Sequence, residues 1–306
     1  MSKLAPILIF VFKRPFHISN LLNSLAQCEE AKFSELIIYS DGPKNPSDSI
    51  ENEAIQRVRN ICTTESRFKS VTLVKAEKNL GLANSIINGV TNVIEEYGSV
   101  IVLEDDLIVS PFFLKYMNDA LVEFKDDERV GQIGACNFFA NGKKYPEAFF
   151  IPIPDCLGWA TWKENWKMFI SDPEVIFKQL KNDKRLSDRF NGYGSYDFSG
   201  LLKSKTLNKV DSWAILWHST CVLNNWLALY PNPSMTNHIE SAEATHANVN
   251  IMPPLASSPI DLKNIKVEEV KSVINAMKLG YSGEGDYFGK PKDKNIWSRL
   301  KRFLKN

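Results

Sequence analysis

Val100-Ile101-Val102-Leu103-Glu104-Asp105-Asp106 is the stretch on which the fold turns, four apolar residues followed without a break by three acids. A short apolar run, rich in β-branched side chains and bounded by polar residues, reads as a strand buried on both faces. Here it covers Ser99 to Leu103. The acids then stand where the chain leaves the sheet. Neighbouring carboxylates repel one another and raise one another's pKa unless a cation offsets their charge. A divalent ion is the simplest such cation, and carboxylate oxygens are hard ligands that suit Mg2+ or Mn2+, ions that also bridge phosphate oxygens. Alternation along an extended chain would turn Glu104 and Asp106 to one side and Asp105 to the other, so not all three need be ligands. The competing interpretation is a solvated acidic turn that caps the next helix.

Upstream of this stretch, Ile7 to Phe12, Glu35 to Ser40 and Val71 to Lys75 read as three more strands. Apolar residues at helical spacing lie between them: Ile18, Leu21, Leu22 and Leu25; then Ile50, Ala54, Val58 and Ile61; then Ile86, Val90, Val93, Ile94 and Tyr97. Downstream, Pro111 opens a helix that turns Phe112, Phe113, Tyr116, Ala120 and Phe124 inward, and Val130 to Cys136 is a fifth strand. Strands alternating with helices predict an α/β fold, a mostly parallel central sheet flanked by helices. After about Asn137 the alternation fails, giving way to aromatic-rich pieces, a Gly-rich stretch from Gly192 to Gly200 and turns at Pro231 and Pro233. There is no internal repeat and no linker that would separate two independent domains.

The chain has 306 residues, 44% of them hydrophobic, enough to bury one large core. Its 37 Lys and Arg balance 36 Asp and Glu, so no global field directs it to nucleic acid or another polyanion. The five cysteines, Cys28, Cys62, Cys136, Cys156 and Cys221, are odd in number and contain no C-x-x-C pair, which argues against a disulfide framework and a zinc site and points to a reducing cytosol. The apolar segment from Leu4 to Phe12 follows a lysine, as a signal peptide does, but no small-residue cleavage site follows it. It is also far shorter than the ~20 residues of a spanning helix.

In open α/β sheets, ligands sit in the crevice beyond the carboxyl ends of the strands. Arg14 follows the first expected strand, Asp41 and Gly42 the second, Asn79 and Gly81 the third, and the acidic triplet the fourth. Each has an ordinary explanation: Arg14 as a surface cation, Asp41-Gly42-Pro43 as a turn, Gly81 as a helix start. The functional alternative is that Asp41 hydrogen-bonds the base or ribose of a nucleotide and that Gly81 lets the backbone approach a ligand closely.

Taken together, residues 5 to 250 or so resemble the GT-A glycosyltransferases, in the branch that contains N-acetylglucosaminyltransferase I and bacterial sugar transferases of surface-polysaccharide assembly. The resemblance is carried by Glu104-Asp105-Asp106 on its strand, by Gly158-Trp159-Ala160-Thr161-Trp162, by Val210-Asp211-Ser212-Trp213, and by the segment from Pro231 through Glu240 and Thr245 to His246. It implies a GT-A, Rossmann-like sheet with an acceptor-side elaboration: residues 1–136 bind the nucleotide-sugar, 137–260 face the acceptor, and 261–306 form a helical tail. It further implies Mn2+ or Mg2+ on Asp106, with His246 as a second metal or phosphate contact. The donor would be bound by Arg14, Asp41, Asn79, Gly81, Glu104 and Asp105, and by Gly158 and Trp159 on a helix beside the sugar, with Trp162 and Trp166 more suited to core. Asp211 would be the catalytic base of an inverting reaction, an N-cap being its alternative role. The implied activity is hexosyl or N-acetylhexosaminyl transfer from a UDP-sugar to a glycan or lipid-linked saccharide in bacterial surface polysaccharide synthesis.

Seven basic residues against one acid lie between Lys290 and Asn306, with Ile296, Trp297, Leu300, Phe303 and Leu304 on one helical face. A helix of this kind lies on an anionic membrane surface or docks on its own domain. The expected location is therefore cytoplasmic, peripheral on the inner face of the membrane. Two rival enzyme classes are disfavoured, since neither the Gly-rich loop of a sugar nucleotidyltransferase nor the G-x-G-x-x-G of a dinucleotide-binding enzyme follows the first strand. A non-catalytic carbohydrate-binding protein of the same fold remains the alternative of another class.

Overall fold

The computed structural model describes residues 4–140, 142–239 and 254–282. β1 (Ile7–Val11) is apolar and buried along its whole length. α1 (Pro15–Leu25) opens on proline, whose missing N–H would have had no helical partner there. β2 (Glu35–Ser40) leads to α2 (Ser49–Thr64), capped by Asp48, whose side chain accepts from the backbone N–H of Ile50 and Glu51. β3 (Ser70–Lys75) precedes α3 (Leu82–Tyr97), which stops at Gly98 in the left-handed conformation, φ 82°. β4 (Ser99–Glu104), the three-residue β5 (Leu107–Val109), α4 (Phe113–Glu123) and β6 (Val130–Gly134) complete the regular half.

The second half contributes β7 (Ala148–Ile151), β8 (Trp159–Trp162) and five helices: α5 (Lys163–Trp166), α6 (Pro173–Asn182), α7 (Lys184–Phe190), α8 (Phe198–Thr206) and α9 (Ala214–Leu223). β9 (Leu227–Pro231), β10 (Thr236–His238) and α10 (Lys271–Ser282) follow. Eight strands form one sheet in the order β3-β2-β1-β4-β8-β6-β9-β7. β3, β2, β1 and β4 run parallel, as expected for β-α-β units. Beyond β4 the sheet is mixed: β8 is antiparallel to β4 and β6, β9 is parallel to β6, and β7 is antiparallel to β9. The result is a mixed α/β fold with a large central sheet flanked by helices.

Strand alternation sorts the core onto two faces. Ile7, Ile9 and Val11 pack with α1, α2 and α4 on one face, and Leu8 and Phe10 pack with α3 on the other. The second face ends in a cluster of Trp159, Trp166, Trp213, Trp217 and Trp226. One expectation is corrected here. The segment around Trp159 is a strand with only a short helix after it, because Ser99 to Val102 of β4 offers an unpaired edge that Trp159 to Trp162 fills. The strand after α4 therefore does not lie beside β4. β8 separates them.

Candidate functional site

Arg14 is the residue before α1 and lies at the carboxyl end of β1. Its guanidinium forks onto two carboxylates, donating from Nε to Asp105 Oδ2 at 3.3 Å, from Nη2 to Asp105 Oδ1, and from Nη1 to Asp106 Oδ2 at 3.0 Å. Expected alternation would separate Asp105 from Asp106, but the chain turns at these two residues between β4 and β5, so both meet the same cation.

β5 explains a contact that the sequence did not reveal. It pairs antiparallel with β10, His238 opposite Leu107, and the backbone N–H of Ile239 donates to the Asp106 carbonyl at 2.7 Å. This ladder brings His238 Nε2 to 3.1 Å from Asp106 Oδ2. His238 was not among the expected site residues, since a three-residue strand carries almost no periodicity and only its pairing shows where its histidine goes. His246, expected as a metal contact, lies outside the described residues.

The three acids differ in charge state. Burial raises the Glu104 carboxyl to about 8, Asp106 and Asp105 adding to the effect and Arg14 offsetting part of it. Burial also raises Asp105, against the pull of Arg14. For Asp106 burial again disfavours charge, but the hydrogen bond from His238 and the Arg14 guanidinium outweigh it and hold this carboxyl down at about 2.

Among the described residues, no group of three or more His, Cys, Asp or Glu side chains is arranged to hold a metal ion. The described residues thus offer no all-protein cage. Ions of the Mg2+ type are commonly bound by one or two carboxylates plus substrate phosphates, and that smaller demand is met. Arg14 and His238 both take Oδ2 of Asp106, and no described residue engages its Oδ1. Arg14 returns one permanent positive charge to Asp105 and Asp106, and His238 adds another only when protonated.

At the ends of β2 and β3 the expected residues form a second cluster. Asp41 Oδ1 accepts from the N–H of Gly42 and Leu80, each at 2.8 Å, and Oδ2 accepts from Asn79 Nδ2 at 2.9 Å and Gly81 N–H at 3.1 Å. Asp41 thereby splices two strand-end loops, and its oxygens are committed to that task. The loops touch so closely that a Cβ on Gly42 would stand 2.5 Å from the Lys78 carbonyl carbon. Gly81, φ 78°, is the residue before α3, in a conformation that favours glycine.

Asp211 reaches this second cluster, its Oδ2 3.7 Å from where a Cβ on Gly81 would stand. Its Oδ1 is paired with Lys205 Nζ at 2.8 Å, and the side chain is 61% exposed. It does not cap α9, whose N-cap is Trp213. Trp213 stacks on Trp159, ring centroids 5.3 Å apart. Trp159 itself is 1% exposed, its ring sealed in the tryptophan cluster. Trp162 and Trp166 are buried too, as core. Gly158, φ 87°, fits where a Cβ would press on Thr236, Ala135 and Leu103, which locks the start of β8 against the strand that delivers the acids.

No protein-family model matches the chain, and no curated protein matches it. Among solved structures it is similar to the mannosyltransferase PcManGT from Pyrobaculum calidifontis in complex with GDP-Man and Mn2+, at 14% identity and a TM-score of 0.35, covering 52% of this chain and 44% of that one. It is also similar to S. aureus TarS, at 15% identity and a TM-score of 0.40 over 78% of this chain and 37% of that one. For S. aureus TarS 1-349 in complex with UDP the figures are 19%, 0.32, 47% and 38%. The chain thus spans well under two thirds of the chain in each of these three structures. Likenesses this loose fix no activity.

Proposed function

We propose that this protein is a GT-A glycosyltransferase that moves a sugar from a nucleotide-sugar, a UDP-sugar, to a saccharide or lipid-linked saccharide acceptor with inversion. The observation that carries the reading is the gathering of Arg14, Asp105, Asp106 and His238 beside Glu104 at the strand ends, with Oδ1 of the buried Asp106 engaged by no described residue. Asp106 would hold Mn2+ or Mg2+, and such an ion, when bound, neutralises charge developing on a departing diphosphate.

This chain's own residues do the rest. Arg14 fixes Asp105 and Asp106 in one orientation, so the ligand oxygen is presented without a conformational search. The splice between Asp41 and the Asn79–Gly81 turn holds the neighbouring loops in the shape that receives the nucleotide. In the reaction an acceptor hydroxyl oxygen forms a bond to the anomeric carbon. The bond from that carbon to the diphosphate breaks, the nucleoside diphosphate leaves with the electron pair, and a carboxylate takes the hydroxyl proton. Asp211, exposed beside Gly81 and held by Lys205, is the base in this reading.

The test is a panel of nucleotide-sugars assayed for nucleoside diphosphate release with Mn2+ and with chelator. Release from a UDP-sugar that depends on the metal is the expected result. No release from any donor under either condition overturns the reading.

A further inference from the structure

The loop between β7 and β8, residues 152–158, reaches the same lip as the acids. β8 is antiparallel to both β4 and β6, so those two strands are parallel to each other, and the loop that leads into β8 crosses their carboxyl ends. Its backbone is fixed at several points. Gln132 Nε2 donates to the Asp155 carbonyl at 2.8 Å, while Gln132 Oε1 accepts from Trp217 Nε1 at 2.7 Å. Thr236 Oγ1 donates to the Leu157 carbonyl at 2.6 Å, and the Ala135 N–H donates to the Gly158 carbonyl at 2.9 Å.

The short strand β10 ties this loop to the acids. Thr236 and His238 stand two residues apart on it, so their side chains leave the same face of the strand about 7 Å from each other. One holds the loop and the other meets Asp106. A Cβ on Gly158 would stand 3.3 Å from the side chain of Leu103, the residue before Glu104. The Cys156 thiol is pushed up first by burial and then by the charges of Asp155, Glu104 and Asp106, so one thiol lies within reach of all three carboxyls.

On this fixed backbone one atom is left over. Asp155 Oδ2 is buried with no hydrogen-bond partner among the described residues, although the residue as a whole is only partly buried. Burial pushes the carboxyl up to about 7, against the pull of the backbone N–H groups of Leu157, Cys156 and Cys136. Near neutral pH such a carboxyl exists both as an acceptor and, protonated, as a donor. A hydroxyl is donor and acceptor at once and meets either state, whereas an ammonium or amide N–H meets only the ionised one. The group attached next to a diphosphate at Asp106 is the sugar itself, so a loop held by the same short strand faces the sugar before it faces the acceptor. We propose that Asp155 binds a hydroxyl of the transferred sugar through Oδ2, as a donor-binding residue on the β6 side of the acids. This rests on the nucleotide-sugar reading of the site.

The test is equilibrium binding of UDP, UDP-glucose, UDP-galactose and UDP-N-acetylglucosamine, each with Mn2+, to the full chain and to its Asp155→Ala and Asp155→Asn variants. Both variants should bind UDP as wild type does. Asp155→Ala should bind the preferred UDP-sugar about tenfold or more weakly, and Asp155→Asn, which keeps the shape and an accepting oxygen, should lose less. A monodeoxy analogue that lacks the bonded hydroxyl should bind wild type and Asp155→Ala equally. Equal weakening of UDP and UDP-sugar, as a merely structural role gives, overturns the proposal. So do unchanged UDP-sugar affinity in both variants and a wild type that binds none of the UDP-sugars. Sugar-dependent binding that the variants lose, in a wild type that releases no nucleoside diphosphate, supports Asp155 as a sugar ligand and overturns the transferase reading alone.

Discussion

Asp41 and Glu104 stand at the carboxyl ends of β2 and β4, the two strands that flank β1 in the parallel part of the sheet, yet their carboxyls have opposite fates. Asp41 receives four hydrogen bonds from one turn and its own neighbour. Glu104 receives none from the described residues, and burial keeps it protonated at neutral pH. A carboxylate satisfied by its own chain holds the chain together. One that is half-buried beside other carboxyls, and takes no hydrogen bond from the described residues, is uncommitted, as groups are where a ligand will meet them. The difference separates a structural splice from a site that awaits a partner.

Substitutions can break this contrast. The largest effect belongs to Asp106→Asn, which keeps the shape but weakens the charge at the candidate ligand oxygen. Turnover should fall by roughly 10²–10³ in the nucleoside diphosphate release assay, the range seen when one stabilising contact to developing charge is removed. The melting temperature should fall too, since Arg14 and His238 favour the ionised carboxylate in the folded state, but the loss of turnover is the larger effect. Asp41→Ala should do the reverse. It orphans four donors, and urea unfolding should show a loss of about 3 kcal/mol, any activity loss following from the loosened loops. Gly42→Ala tests the same splice more gently. Its Cβ meets backbone and not a flexible side chain, so a loss of about 1–3 kcal/mol is expected.

Glu104→Gln should have the smallest effect at neutral pH, because the native side chain is already largely uncharged there. Its signature lies in pH dependence. A carboxyl raised from 4.5 to about 8 in the folded state contributes stability that is fully present below 4.5 and is lost as pH rises through 8. The variant should therefore lose less stability than wild type between those values, as followed by unfolding midpoints across the range. Parallel pH curves for the two proteins would show that Glu104 is not held protonated, and the contrast with Asp41 would collapse.

Much of this contrast was legible beforehand, though not evenly. The position of Arg14, Asp41, Asn79 and the acids at one lip followed from strand order in β-α-β units. That Arg14 and not only a metal offsets the acids did not follow, because it depends on the turn at Asp105 and Asp106 that replaces strand alternation. Asp41 illustrates a second limit. A sequence shows an acid beside Gly42, but whether its oxygens face a ligand or the next loop depends on where Asn79 to Gly81 is carried. The tryptophans were harder still, since helical and extended spacing both suit Trp159 and Trp162 until the open edge of β4 selects the strand.

The sequence by itself determined the first four strands, the helices between them and the lip where chemistry is placed. Such features rest on local physics: apolar period, a proline at a helix start, Asp48 as a cap, Gly98 as a stop. Tertiary structure alone decided that β8 parts β4 from β6, that Trp159 is core, and that His238 meets Asp106. These are pairings between residues distant along the chain, and they are chosen by competition for sheet edges and buried volume, which no local pattern encodes.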